Sequence, residues 1–203
     1  AQGTLMNLLD IRNLSIELIH DDENILAVDK VSLSMKEGEV RGLVGESGSG
    51  KSLLAQALVG VLDDKWHVHA DRFHWRGIDL LRLSIEERKE LLSRDVAMIF
   101  QEPMACLDPT TAIGEQLTEA IDSGQLSGFF WQKKQQRQSA AIKLLHKVGI
   151  KNHRACLSSY PHQLTEALCQ RVMIAIALAR RPILLIADEP TAAMENTNEG
   201  QIF

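Results

Sequence analysis

The chain has 203 residues, 45% of them hydrophobic, with 22 basic and 27 acidic side chains and a net charge of −5. That length carries one substantial core, or one core with a subdomain, and the ordinary apolar content excludes a disordered chain. The mild acidity, the lack of a basic block and an aromatic content of only 4% argue against a nucleic-acid surface built on charge and base stacking. Cys106, Cys156 and Cys169 are odd in number, far apart and without a CxxC pair, which predicts free thiols in a reducing compartment.

In chain order, "AQGTL" before Met6 reads as an expression remnant. "LLDIRNLSIEL" and "ILAVDKVSLSM" alternate apolar and polar residues around the polar "HDDEN", which predicts an antiparallel hairpin. "EVRGLVG" predicts a short buried strand running into a glycine loop, followed by a helix from Lys51. Strand character returns at Val68–Trp75, and "SIEERKELLS" has Ser84 and Glu87 at capping-box spacing, predicting a short helix. "VAMIF" reads as a buried strand. Between Met104 and about His162 the pattern is helical, most clearly in "SAAIKLLHKVGI". A second helix is predicted over about Thr165–Arg181, then the strand "ILLIADEP" and a further helix start at the end of the sequence. The most apolar stretch, "VMIAIALARRPILLIAD", is broken by Arg180, Arg181 and Pro182 and does not form one membrane span. Nor does the start resemble a secretion signal, so the expected location is cytoplasmic.

Strands alternating with helices predict an α/β domain with an inserted helical subdomain. The chemistry centres on "GESGSGKS", comprising Gly45, Glu46, Ser47, Gly48, Ser49, Gly50, Lys51 and Ser52, which matches G-x-x-x-x-G-K-[ST] between a predicted strand and a predicted helix. Glycines let successive amides turn inward onto phosphate oxygens, and the new helix adds its own unpaired N–H groups. Lys51 would reach the β- and γ-phosphates and Ser52 would hold Mg²⁺. The plainer reading, a glycine-rich structural turn, fits less well with both flanking elements in place. "LLIADE" supplies the complement: Asp188 at a strand end suits a Mg²⁺ ligand acting through water, and Glu189 suits orienting or deprotonating the attacking water.

With "MIFQEP", "YPHQLTEALCQR" and "ADEPTAAME" added, the chain from Met6 onward resembles the ATP-binding-cassette family. "GESGSGKS", "IFQEPMACLDP" and "YPHQL" resemble more specifically the ATPases of dipeptide, oligopeptide and nickel importers. The resemblance implies a P-loop NTPase (RecA-like) core with an N-terminal antiparallel β subdomain and an inserted helical subdomain, its C-terminal part missing. It divides the chain into 6–103, core with β subdomain; 104–164, helical subdomain; and 165–203, signature helix, Walker B strand and D-loop. It also implies ATP and Mg²⁺ as cofactors, Gln101 as the Q-loop residue touching Mg²⁺ or the attacking water, and hydrolysis using Glu189, Gln101 and Lys51. Two membrane permease subunits and a second cassette are the implied partners, at the cytoplasmic face of a bacterial inner membrane.

Where the family usually reads L-S-G-G-Q, this chain has Leu164, Thr165, Glu166, Ala167 and Leu168. In the family this signature meets nucleotide held by the opposite cassette. A carboxylate 4 Å from a phosphate charge costs about 4 kcal/mol at an effective dielectric of 20, more than a hydrogen bond returns. An asymmetric heterodimer follows as an expectation, with the site made by this signature the poorer one. The plainer reading makes Glu166 a helix N-terminal carboxylate favoured by the helix dipole, and the two readings are compatible. Glu195 stands where the D-loop generally has aspartate. No aromatic precedes Trp66 to stack on adenine, leaving Leu18, Ile19 and His20 at that place. The sequence stops before the family's switch histidine, whose strand lies between the P-loop and Walker B strands, so a gap in the sheet, poor stability and weak hydrolysis are expected of these 203 residues alone.

"FFWQKKQQR", aromatics followed by cations, fits either a membrane or permease surface or, more plainly, a helix start with a solvated face. The Met104–Pro109 turn after Gln101 is expected, on the resemblance, to help form a permease groove. The alternatives kept beside the transporter reading are a soluble ATPase of the same superfamily in DNA repair, chromosome maintenance or translation, and a nucleotide-binding regulatory subunit with little hydrolysis.

Overall fold

The computed structural model describes residues 7–20, 23–121, 124, 127 and 129–188, in two compact units that divide between Ser93 and Arg94. The first unit is built on a long hairpin, β1 (Leu9–His20) and β2 (Glu23–Met35), paired antiparallel as the alternation predicts. The apolar residues of β1 do not alternate throughout. Leu9 and Ile11 are buried, and so are Leu14 and Ile16, one residue out of step. A bulge absorbs the extra residue: the register shifts between Ile11 and Leu14, and Asn13 adopts φ +49°. The bulge is tied down by side chains. The Asn13 amide donates to Ser32 Oγ at 3.0 Å, Asn13 Nδ2 donates to Asp71 Oδ2 at 2.6 Å, and the Lys30 amide donates to Ser15 Oγ at 3.0 Å.

The strand character expected at Val68–Trp75 takes the form of two strands, β3 (Trp66–His69) and β4 (Arg72–Trp75), both antiparallel to β1 along its length; a two-residue β5 (Ile78–Asp79) pairs with β4. Phe73 and Trp75 are fully buried on this sheet. Helix α1 (Lys51–Val59) follows the glycine loop, and α2 (Ile85–Asp95) starts as its sequence predicts. The Ser84 amide donates to Glu87 Oε2 at 2.8 Å and the Glu87 amide to Ser84 Oγ at 3.2 Å, a reciprocal capping box.

One predicted strand does not form. "EVRGLVG" carries no ladder, and Val40 and Val44 are more than nine-tenths exposed. A buried strand needs a hydrogen-bonded neighbour on at least one side, and no described strand pairs with these residues.

The second unit opens with β6 (Val96–Ile99), buried at every position as a parallel strand should be, and continues through α3 (Pro103–Cys106), α4 (Ile113–Ala120), α5 (Phe130–Lys147) and α6 (His153–Ser158). Helix α7 (Glu166–Ala179) then leads to β7 (Leu184–Ala187), which pairs parallel with β6. Leu107, Ile113, Leu117, Ala141, Leu145, Cys156, Cys169, Val172 and Ala175 form the core among the helices, and Met173, Ile174 and Ala177 pack with Ala97 and Ile99 of β6. The three cysteines are free thiols, as expected; burial pushes the Cys156 thiol up to about 11, which keeps it protonated and inert. Among the described residues no helix is long and apolar enough to cross a membrane. The helix start expected at the end of the sequence lies outside the described residues.

Gly114 sits where α4 meets α6, and a Cβ there would lie 2.7 Å from the Leu157 carbonyl oxygen. Gly114→Ala is expected to destabilise the protein by about 1–3 kcal/mol through overpacking, read as a lowered midpoint in denaturant. A second prediction concerns Glu87, whose carboxyl is held below its usual range by the Ser84 backbone hydrogen bond first and the Ser84 hydroxyl second. A depressed carboxylate stabilises the fold above its unfolded value, near 4.5, and loses that contribution as pH falls through the folded value. The gap in melting temperature between the native chain and Glu87→Gln should therefore be widest near neutrality and close in acid.

Candidate nucleotide site

The glycine loop from Gly45 to Ser52 turns on two left-handed residues, Gly48 at φ +79° and Gly50 at φ +88°, the latter being the N-cap of α1. Left-handed backbone at an L-residue with a side chain is strained, so glycine is required at both. At Gly50 space requires it too, while a Cβ on Gly48 would meet open space. A Cβ on Gly50 would stand 2.8 Å from Val28 Cγ2 and 2.9 Å from the Ala27 carbonyl oxygen, and one on Gly45 would stand 2.8 Å from Ser49 Oγ. The loop is thus pressed against β2 and closed on itself.

Lys51 lies across the loop. Its ammonium donates to the Gly45 carbonyl at 2.8 Å, the Glu46 carbonyl at 2.7 Å and more weakly to Ser49 Oγ at 3.4 Å. The Ser49 amide donates to the Glu46 carbonyl at 3.2 Å, and the Leu54 amide to the Gly50 carbonyl at 2.9 Å, fixing the first turn of α1. Glu46, Ser47, Gly48, Ser49 and Ser52 are exposed. The result is a small exposed cradle whose one cation is held by oxygens only, at a helix N-terminus without an acidic residue in its first turn. Such a cradle attracts an anion with several oxygens. A triphosphate fits it: phosphate oxygens are the same class of acceptor that Lys51 already meets, and Gly45, Gly48 and Gly50 leave the loop backbone free of Cβ atoms at three positions.

The second unit gathers other predicted residues at one end of its strand pair. Ile99 stands opposite Ala187 in the parallel register, and the Asp188 amide donates to the Ile99 carbonyl at 2.9 Å. Both chains then leave their strands, so Gln101 and Asp188 emerge beyond the carboxyl ends of adjacent parallel strands, the edge where α/β sheets bind ligands. Gln101 is exposed and Asp188 half-buried. Glu189 and Glu195 lie outside the described residues.

The signature residues form a helix start. Leu164 ends a short 3-10 turn, Thr165 is the N-cap of α7 with Oγ1 accepting from the Leu168 amide at 3.3 Å, and Glu166 is the first helical residue. Glu166 is exposed, where a carboxylate favours the helix dipole, while Ala167 and Leu168 turn partly inward. Of the residues offered for adenine, Leu18 is half-buried and Ile19 exposed. His20 belongs to β1, and its side chain lies outside the description.

Two sets of contacts are not given by the motifs themselves. Ala27 and Val28 of β2 buttress Gly50; a hairpin strand carries no sign that it will meet a loop more than twenty residues on. After Gln101, Asp108 accepts from Thr110 through both hydroxyl and amide and from Thr111 Oγ1, which holds its carboxyl below the usual range, with the Thr110 hydroxyl the largest cause. Gln116 closes the same turn, accepting from the Asp108 amide and donating to the Asp108 and Thr111 carbonyls at 2.8–3.0 Å. A turn was expected at Met104–Pro109, and the D-P-T pattern at 108–110 is the signal for the side-chain bonds that close it.

A glycine cradle at a helix start and a carboxylate at the end of a parallel strand are the two halves of a P-loop NTPase, and residues 28–192 match the family model described as ABC transporter. The chain belongs to that family. It is 57% identical over 198 residues to the peptide transport system ATP-binding protein SapD of Escherichia coli O6:H1, covering 98% of this chain and 60% of that one. It is 46% identical over the same length to the dipeptide transport ATP-binding protein DppD of Escherichia coli strain K12, covering 98% and 59%. It thus spans about three fifths of the length of these relatives. In fold it is similar to the dimeric ATP-binding cassette MJ0796, with a TM-score of 0.75 at 26% identity over 92% of this chain and 76% of that one. A post-hydrolysis state of the same cassette bound to ADP and Pi gives 0.73 at 27% identity over 93% and 76%. The cassette fold and the likeness to peptide-importer ATPases expected from the motifs are both borne out.

Gly50→Ala tests the cradle. Left-handed strain of about 1–3 kcal/mol together with the clash against β2 should weaken binding of a fluorescent ATP analogue by about tenfold or more. Circular dichroism should still report a folded chain.

Proposed function

We propose that this chain is the ATP-binding and ATP-hydrolysing part of a subunit that powers peptide import through a membrane ABC transporter. The observation that carries the reading is the loop itself: Lys51 held on oxygens over a glycine cradle pressed onto β2, in a chain of the ABC transporter family. In this reading Gly45–Lys51 hold the phosphates of ATP through amides and the Lys51 ammonium. Ser52, Asp188 and Gln101 would hold Mg²⁺, which would neutralise charge on the phosphates. Bound ATP supplies the phosphoanhydride whose cleavage drives transport. Glu189 accepts a proton from the attacking water, a role typically worth ~10²–10⁴-fold in rate.

The names of the relatives support peptides as cargo, and the dimeric neighbours support pairing with a second cassette. Two permeases complete the proposed assembly at the cytoplasmic face of the inner membrane. The pair is asymmetric, since Glu166 enters where the family signature has glycine. ATP held by this chain meets the partner's signature, and ATP held by the partner meets Leu164–Leu168. Residues 1–203 by themselves hydrolyse weakly in this reading, because Val40–Val44, which lead into the loop, are exposed and pair with no described strand. Glu166 also favours a second reading, a subunit whose nucleotide site regulates and seldom turns over.

Both are tested in the full-length protein isolated gently from native membranes. Recovery with two permeases and a second cassette is the expected result; recovery from the soluble fraction with nucleic acid or ribosomes would overturn transport. In the same complex Glu189→Gln should retain ATP and lose most substrate uptake. Unchanged uptake would select the regulatory reading.

A further inference from the structure

We infer that the N-terminal end of α5 touches the membrane directly, as an interfacial contact with anionic lipid. Phe129, Phe130 and Trp131 are 69%, 82% and 68% exposed, and the Phe129 and Trp131 rings stack with centroids 5.3 Å apart. Every residue from Phe129 to Gln136 is exposed, so two helical turns stand in solvent on all sides before α5 reaches the helical core at Ala141. The projection is held in shape. The Phe129 amide donates to Gln132 Oε1 at 2.9 Å, and Gln136 exchanges hydrogen bonds with both backbone groups of Ser127 at 3.0 and 3.2 Å.

Charge indicates what the aromatics meet. Lys133 and Lys134 follow immediately and Arg137 comes one turn later. From Ser123 to Thr165 the sequence holds seven lysines and arginines and neither aspartate nor glutamate, in a chain whose net charge is −5. None of the seven makes an ion pair among the described residues. The exposed, unpaired Lys133 and Lys134 beside stacked aromatics fit an anionic surface with an apolar layer behind it, where rings sit at headgroup level and cations lie among phosphates.

The contact needs no transporter, so it stands or falls apart from the proposed function. The test is co-sedimentation of the full-length protein with vesicles containing phosphatidylglycerol, compared with vesicles of phosphatidylcholine alone, in low salt. The expected result is about tenfold stronger partitioning to the anionic vesicles, a severalfold loss in the double variant Phe130→Ser/Trp131→Ser, and a comparable loss in Lys133→Gln/Lys134→Gln. Quenching of Trp131 by lipids brominated in the acyl chains should accompany binding and vanish in Trp131→Phe. These exposed substitutions should leave the melting temperature unchanged. Equal partitioning to both vesicle types, binding indifferent to the aromatic variant, or protection of Trp131 only by purified permease without lipid quenching would overturn the inference.

Discussion

Helix α7 is buried on most of its circumference, and that requirement organises the second unit. Cys169, Val172 and Ala175 face the helices α3, α4 and α5, while Met173, Ile174 and Ala177 face β6. Each buried aliphatic side chain of Leu or Ile size returns about 1.5–3 kcal/mol, and the helix gains this only if strand and helices are both in place. Its first turn carries the signature residues and its C-terminal end feeds β7 and Asp188. The same packing therefore sets the register of the Thr165 cap and of the strand end bearing a proposed metal ligand. A substitution in the middle of α7 would be felt at both places without touching either.

The glycine loop depends on a different constraint, the need of backbone groups and one cation for partners. Lys51 satisfies the Gly45 carbonyl and adds a second donor to the Glu46 carbonyl, and Gly48 and Gly50 permit the turn. The anion-binding capacity follows from geometry more than from net charge, which is why a mildly acidic protein can present a phosphate cradle. Close packing onto Ala27 and Val28 makes the cradle part of the β sheet's rigid body.

The loop, the α2 cap and the helical region were legible in the sequence because each rests on local chemistry: glycines at fixed spacing, Ser84 with Glu87, apolar residues at three and four. The hairpin was legible as alternation, but its bulge at Asn13 was not, because the misstep between Ile11 and Leu14 resolves only when a partner strand sets the register. "EVRGLVG" shows the opposite limit. Its residues have the composition of a strand, yet strand formation is a property of pairs, and no described strand accepts it. The signature stretch sits between these cases. Its helix start was readable from Thr165 and Glu166, while the consequence of Glu166 for a facing cassette depends on a molecule outside this chain.

Exposed Val40 and Val44 also bear on how such a chain is made. An exposed segment with β-branched residues and no strand partner is a template for another copy of itself. Arg41 and its ion-pair partner Glu39 place charge within that segment, as gatekeepers do. Intramolecular docking of the segment is first order and capture by a second molecule is second order. Concentration, more than intrinsic stability, therefore decides which path the newly made protein takes.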